Sequence, residues 1–326
     1  MPSLFNVVKL VNGRLVQFDD FSNTINPVQP SPESEPSEPQ VNPLGLPPYT
    51  IRVKYVDGTE PGNTSVKLMD AEKTLVDESE NIWDITYADV DWSSLFYEEQ
   101  NLLAILGANT SDVTVMGGEV RGCFEGCSSL TTVALFDTSN VTTMERMFVE
   151  DTSLTGLPLF DMSNVTTLKY MCYHCLSLTE IPLFVIPKVE SLYGTFEGSG
   201  CTNLPALDVP CVITIENMCL DCSELQSVPL FTNTDNIVYS EAAFAECTNV
   251  QSGAFALYQQ LSSNENITYF GTFNSCGSDT PSGRAELAQI PESWGGTMPD
   301  ADDFSNTINP VQPSPESEPS MGITVD

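Results

Sequence analysis

Apolar and polar positions recur in the middle of the chain with a period near 24. The segments LTTVALFD (130–137), LTGLPLFD (154–161), LTEIPLFV (178–185), CTNLPALD (201–208) and LQSVPLFT (225–232) start 24, 24, 23 and 24 residues apart. Ahead of them, Val113, Val141, Val165, Val189 and Val212 form one column, and Met144, Leu168, Leu192 and Ile215 a second. Phe124, Phe148, Cys172, Phe196, Cys219 and Phe244 form a third. The first copy is longer than the others and a weaker sixth runs over 233–258. Within a unit, Ser139-Asn140 and Ser163-Asn164 offer N-cap side chains, and V-x-x-M-x-x-M-F, spaced by three and four, predicts about two helical turns. L-x-x-L-x-L predicts a short strand. One such unit cannot bury its own apolar face, whereas a stack of six can. The expected fold is an α/β repeat solenoid of short parallel strands and short helices.

Outside the repeats, LFNVVKLVNGRLVQF (4–18) reads as a β-hairpin turning at Asn12-Gly13, since both turn residues tolerate positive φ. Its apolar residues Phe5, Val7, Leu10, Leu15, Val16 and Phe18 are expected to anchor it on a partner surface, because an isolated hairpin is marginal in water. Residues 22–48 carry eight prolines among acidic and serine residues and read as an extended linker. The 19 residues DDFSNTINPVQPSPESEPS at 19–37 recur at 302–320, either as an accidental duplication of spacer or as direct repeats around an exchangeable block. YTIRVKYV (49–56) alternates as a strand ending at Asp57-Gly58. Within 83–106, Leu95, Leu102, Leu103 and Leu106 suit a short capping helix. The expected organisation is a hairpin anchor over 1–18, a linker over 19–48, an N-terminal β-rich cap over 49–108, repeats over 109–258, a C-terminal cap over 259–297 and a tail over 298–326.

Composition narrows the function. With 45 Asp+Glu against 11 Lys+Arg, the net charge of −34 excludes a nucleic-acid binder that neutralises phosphates and argues against docking on anionic lipid. No apolar run reaches the ~18–20 residues of a membrane helix. MPSLFNVVKLVNGRLVQFDD lacks the apolar core of a signal peptide, so conventional secretion is not expected. The single histidine, His174, would have to serve any Cys–His, Ser–His or HExxH chemistry, and neither a phosphate-binding GxxxxGK[ST] nor a GxGxxG is present. No cofactor is expected.

The strands LxxLxL joined to segments such as SNVTTMERMF (139–148) and SNVTTLKYMC (163–172) resemble the BspA-like leucine-rich repeats and the bacterial surface-protein repeat of Mycoplasma and gut bacteria. The flanks YTIRVKYVDGT and FNSCGSDTPSGRAELAQIPESWGG (273–296) share the resemblance, which covers about 48–297. Asp151 and Gly198 depart from a column usually Cys or Asn, and Ala206 stands for Leu. Such repeats, found in gut bacteria and their phages, imply surface exposure and adhesion, and bring no catalytic motif.

Four features bear on chemistry. Cys172-x-x-Cys175 and Cys219-x-x-Cys222 lie two repeats apart, about 10 Å at the usual strand spacing, too far to share a zinc ion; a buried packing column is expected and no metal site. His174 points away from its neighbouring thiols, so no catalytic pair is expected. Asp137, Asp161 and Asp208 end their strands in one column, open to a glycosidase-like pair but ordinary for turn capping. Finally, alternation turns Phe136, Pro158, Phe160, Pro182, Phe184, Pro205, Pro229 and Phe231 outward as an apolar binding face, unless the prolines end the ladder and the rings swing inward. The sequence therefore leads to a non-enzymatic phage virion appendage. Its hairpin would join a virion structural protein, and its repeats would meet a host surface protein or glycan, without nucleic acid or membrane insertion and with a homo-oligomer possible. A bacterial surface adhesin is the alternative, and a carboxylate-based glycan hydrolase the third.

Overall fold

The computed structural model describes residues 8–11, 14–17 and 42–296, in two compact units. In the first, β1 (Val8–Val11) and β2 (Arg14–Gln17) pair antiparallel, with Val11 opposite Arg14. Phe5, Val7 and Phe18 of the expected anchor, and the linker over 19–41, lie outside the described residues.

The second unit begins with a five-stranded sheet in the order β4-β5-β3-β6-β7. These strands are β3 (Thr50–Tyr55), β4 (Glu72–Asp77), β5 (Ile82–Thr86), β6 (Leu102–Asn109) and β7 (Thr132–Val133). Alternation buries Ile51, Val53 and Tyr55 of β3 on one face. The short helix α1 (Val66–Asp70) starts where the Ser65 hydroxyl accepts from the Leu68 N–H. The capping helix expected around Leu102–Leu106 is instead β6, pairing antiparallel with β3 and parallel with β7. Its apolar run is buried on both faces, a pattern that helix and strand share when the run is short.

The expectation of an α/β solenoid is likewise corrected. The regular sheet is this small mixed one, and α2 (Ala254–Leu261) and α3 (Pro281–Leu287) lie beyond the aligned V-x-x-M segments. Those segments form successive turns joined to their neighbours by single parallel bridges, Thr143 to Thr167 to Ser191 to Thr214 to Tyr239. A second series runs Gly156 to Glu180 to Asn203 to Ser227 to Ser252.

The hydrogen bonds explain why no helix forms. In one repeat the N–H groups of Arg146, Phe148 and Glu150 donate to the carbonyls of Lys169, Met171 and Tyr173 one repeat on, at 2.9, 2.9 and 2.8 Å. The alternate N–H groups, those of Met147, Val149 and Asp151, close local turns onto Met144, Arg146 and Phe148. Half of the donors a helix would use internally are thus spent between repeats. Arg146 and Glu150 accordingly take left-handed φ of 61° and 60°, as do Tyr170 and His174 one repeat later. The three-and-four spacing still directs its apolar side chains inward. Val141, Met144 and Phe148 are wholly buried, and the rings of Phe96, Phe124 and Phe148 stack with centroids 5.4 and 5.5 Å apart.

The far end of the stack is covered by α2, α3 and Trp294. The Trp294 ring lies flat on Tyr269 at 4.2 Å and edge-on to Tyr258 at 5.3 Å. Thr280 caps α3 with Pro281 behind it, and the Glu286 carboxylate accepts the N–H groups of Gly253 and Phe255 at the start of α2. Trp294→Ala is expected to cost about 3–5 kcal/mol, read as a lower urea midpoint with unchanged slope, because it uncovers the last repeat.

Candidate functional site

The rings expected on an exposed face lie inside. Phe136, Phe160, Phe184 and Phe231 are 1, 2, 3 and 2% exposed, and Phe136 packs on Phe160 at 5.2 Å. The alternation is reversed locally: the N–H of Phe160 bonds to the Pro158 carbonyl and that of Phe184 to the Pro182 carbonyl, each at 2.9 Å. This tight turn swings the phenylalanine inward and leaves Leu159 and Leu183 outward, both 59% exposed. Pro158, Pro182, Pro205 and Pro229 are half-buried beside them.

The other groups that could carry chemistry are engaged in structure. Asp137 and Asp161 accept the N–H groups of Ser139 and Ser163 at 2.9 Å, and Asp208 accepts from Thr232 and Asn233. All ten cysteines are free thiols and all but Cys211 are buried. Cys127, Cys175, Cys222 and Cys247 form a ladder in which each thiol donates to a backbone carbonyl of the preceding repeat, at 3.0–3.2 Å. Burial pushes these thiols well above their ordinary value, which makes them poor nucleophiles. Among the described residues no three Cys, His, Asp or Glu side chains converge to hold a metal ion. His174 stacks on Tyr173 at 4.0 Å and 18°.

Asp151 occupies the ladder position between Cys127 and Cys175 and is 0% exposed. Its Oδ1 accepts the Cys127 N–H at 2.8 Å, while Oδ2 has no partner. Burial pushes its carboxyl well above the usual carboxylate range, only partly opposed by the Cys127 N–H.

The turn face carries a cluster that the repeat pattern does not announce. Tyr170 meets Tyr193 edge-on at 5.2 Å and Tyr173 edge-on at 5.6 Å. Lys169 lies 5.7 and 5.6 Å from the Tyr170 and Tyr193 rings, and the Arg146 guanidinium 5.6 Å from Tyr170. Arg146, Tyr170, Tyr173, Glu197 and Asn217 wall an open pocket of about 290 Å³. Both cations already have carboxylates: Glu125 engages Nε and Nη2 of Arg146, and Glu145 lies 3.9 Å from Lys169. Partial burial pushes Glu197 above its ordinary value, opposed by the Asn217 amide. Burial and the Tyr193 hydroxyl push the Tyr170 phenol upward, keeping it a hydrogen-bond donor.

Two glycines make room for these rings. Gly194 and Gly198 share columns with Tyr170 and His174, so Gly198 stands one position before the column of Asp151 and not in it as expected; Ser199 is the residue there. A Cβ at 194 would meet Tyr170 carbons at 2.6 Å, and one at 198 would meet His174 Cδ2 at 2.2 Å. Their positive φ values of 58° and 66° are not the reason for glycine, since Asn217 and Asp221 hold such values in the same columns one repeat on. The reason is clearance. The pair L-Y-G-T-F-E-G after K-Y-M-C-Y-H was the available signal in the sequence.

Residues 169–278 match the family described as the BspA type leucine rich repeat region, and residues 90–206 match a Mycoplasma protein family of unknown function, DUF285. This chain therefore carries BspA-type leucine-rich repeats, a repeat class that points to a surface or binding protein. No curated protein and no solved structure matches the chain. No helix among the described residues is long and apolar enough to cross a membrane.

Proposed function

We propose that this chain is a non-enzymatic binding protein displayed on a phage particle, with its repeat block held out on acidic spacer. One observation carries the reading: the same 19-residue Pro/Ser/Glu segment stands on both sides of the repeat block, at 19–37 and 302–320. Pro/Ser/Glu-rich sequence of this kind is the composition of a spacer and supports that reading. The apolar hairpin sequence over 1–18 supplies the attachment to a virion structural protein, and the turn face supplies the contact with a host protein or glycan. Commitment of the aspartates, thiols and His174 to turns and packing supports binding over catalysis. The bacterial adhesin is the second reading, favoured by the match to a Mycoplasma protein family. Mass spectrometry of density-gradient fractions from the source culture separates the two. Co-sedimentation with intact particles is expected; recovery only with cell envelopes would overturn the virion role and establish the adhesin.

A further inference from the structure

We propose that the pocket walled by Tyr170, Tyr173, Glu197, Asn217 and Arg146 binds a neutral hexopyranose unit of a glycan. This deepens the reading of the chain as a binding protein and rests on it.

The chemistry of the walls selects the ligand. Tyr173 and Tyr170 give aromatic surface at roughly right angles to each other, suited to the flat C–H face of a pyranose ring. Around them stand groups that pair with hydroxyls: the Asn217 amide donates and accepts, the Glu197 carboxylate accepts, and the tyrosine phenols donate. The pocket holds no cation to spare for an anionic sugar. Arg146 is bonded to Glu125 at 3.2 Å and Lys169 sits by Glu145, whereas Glu197 takes part in no ion pair among the described residues. An acidic saccharide would meet that carboxylate in a chain of net charge −34. A quaternary ammonium ligand would be repelled by the charges of Arg146 and Lys169, which already lie by the Tyr170 ring. A neutral polyol with one apolar face remains.

The position of the Tyr170 ring depends on Gly194: a single methyl there would drive into the ring and crowd the Glu197 carboxylate. A second concavity on the same turn face, walled by Glu98, Gln100, Ser128, Glu150, Thr152 and His174, offers hydroxyl partners for further units of a chain.

The test uses the purified full-length protein titrated with lactose, maltose, cellobiose and mannobiose, with 3′-sialyllactose and choline chloride as charged comparators. Binding is read by calorimetry and by saturation-transfer NMR. At least one neutral disaccharide is expected to bind at millimolar Kd or tighter, preferred over both charged probes. Tyr173→Ala and Gly194→Ala should each weaken it about tenfold or more, and Tyr239→Ala, on an exposed ring outside the pocket, should not. Gly194→Ala removes no hydrogen-bonding group but displaces the Tyr170 ring; should it misfold, the half-buried Tyr173 still decides. Absence of neutral-sugar binding at about 10 mM, preference for a charged probe, or binding untouched in Tyr173→Ala would each overturn the assignment. Co-sedimentation does not depend on sugar, so a negative titration with positive co-sedimentation would remove the ligand class and keep the display reading.

Discussion

Replacing Asp151 by cysteine is expected to stabilise the protein at neutral pH by about 1–4 kcal/mol, an unusual direction for a core substitution. The new thiol would continue the ladder of Cys127, Cys175, Cys222 and Cys247, each of which donates to a carbonyl of the preceding repeat. Little is lost in exchange. The Cys127 N–H that now bonds Asp151 at 2.8 Å also reaches the Phe124 carbonyl at 3.1 Å, and Oδ2 bonds nothing. The pH dependence follows from the direction of the shift. Burial raises the folded carboxyl above its unfolded value near ~3.9, so the protonated group favours the fold fully below that value. That contribution declines as pH rises toward the folded value. Urea melts from pH 4 to pH 9 should therefore show the gain of Asp151→Cys widening with pH. Asp151→Ser, which mimics Ser199 and cannot oxidise to a disulfide, should behave alike. A gain constant across pH would mean that ionisation at Asp151 is not its source.

The second large effect concerns the Pro/Phe segments. Phe160→Asp combined with Phe184→Asp is expected to abolish the cooperative thermal transition. Each ring is nearly inaccessible, and losing one alone costs about 3–5 kcal/mol before the burial of a carboxylate is counted. Two such losses, about 6–10 kcal/mol with the burial of two carboxylates to be added, are comparable to the ~5–15 kcal/mol that holds an ordinary domain. Leu159→Asp with Leu183→Asp, one residue away on the outward side, should move stability by no more than about 0.5 kcal/mol per site. Circular dichroism melts of the two double variants decide the matter, and equal destabilisation by both would contradict the inward orientation.

The repeat columns were legible because periodic identity is independent of backbone conformation. Val141, Met144 and Phe148 are all buried, as their spacing demanded. The conformation itself was not. A three-and-four spacing marks which side chains face inward, and successive turns whose N–H groups bond the next repeat satisfy it as well as a helix does. The run Leu102–Asn109 hides its conformation for a related reason, since a short stretch of apolar residues lacks the length to separate helix from strand. The inward swing of Phe160 depended on one hydrogen bond to the Pro158 carbonyl, which no alternation rule contains. Asp151 stands out in the sequence as a break in a column, yet the upward shift of its carboxyl arises from burial that only the assembled stack creates. The tyrosine pocket is not legible in the repeat pattern because its walls come from four consecutive repeats and Gly194 acts by leaving space for Tyr170.

The between-repeat hydrogen bonds also bear on how such a gene can change. Each turn gives its N–H groups to the following turn and offers its carbonyls to the one before, so every internal unit is interchangeable with its neighbour as a bonding partner. Adding or losing one whole unit would leave no donor orphaned, whereas a shift of a few residues would break the ladder along its length. The identical pentapeptides SNVTT at 139–143 and 163–167 are the places where unequal crossing-over could make such a change in frame. Loss of the unit between them would take Arg146 from the pocket and leave Tyr170, Tyr173, Glu197 and Asn217 in the chain.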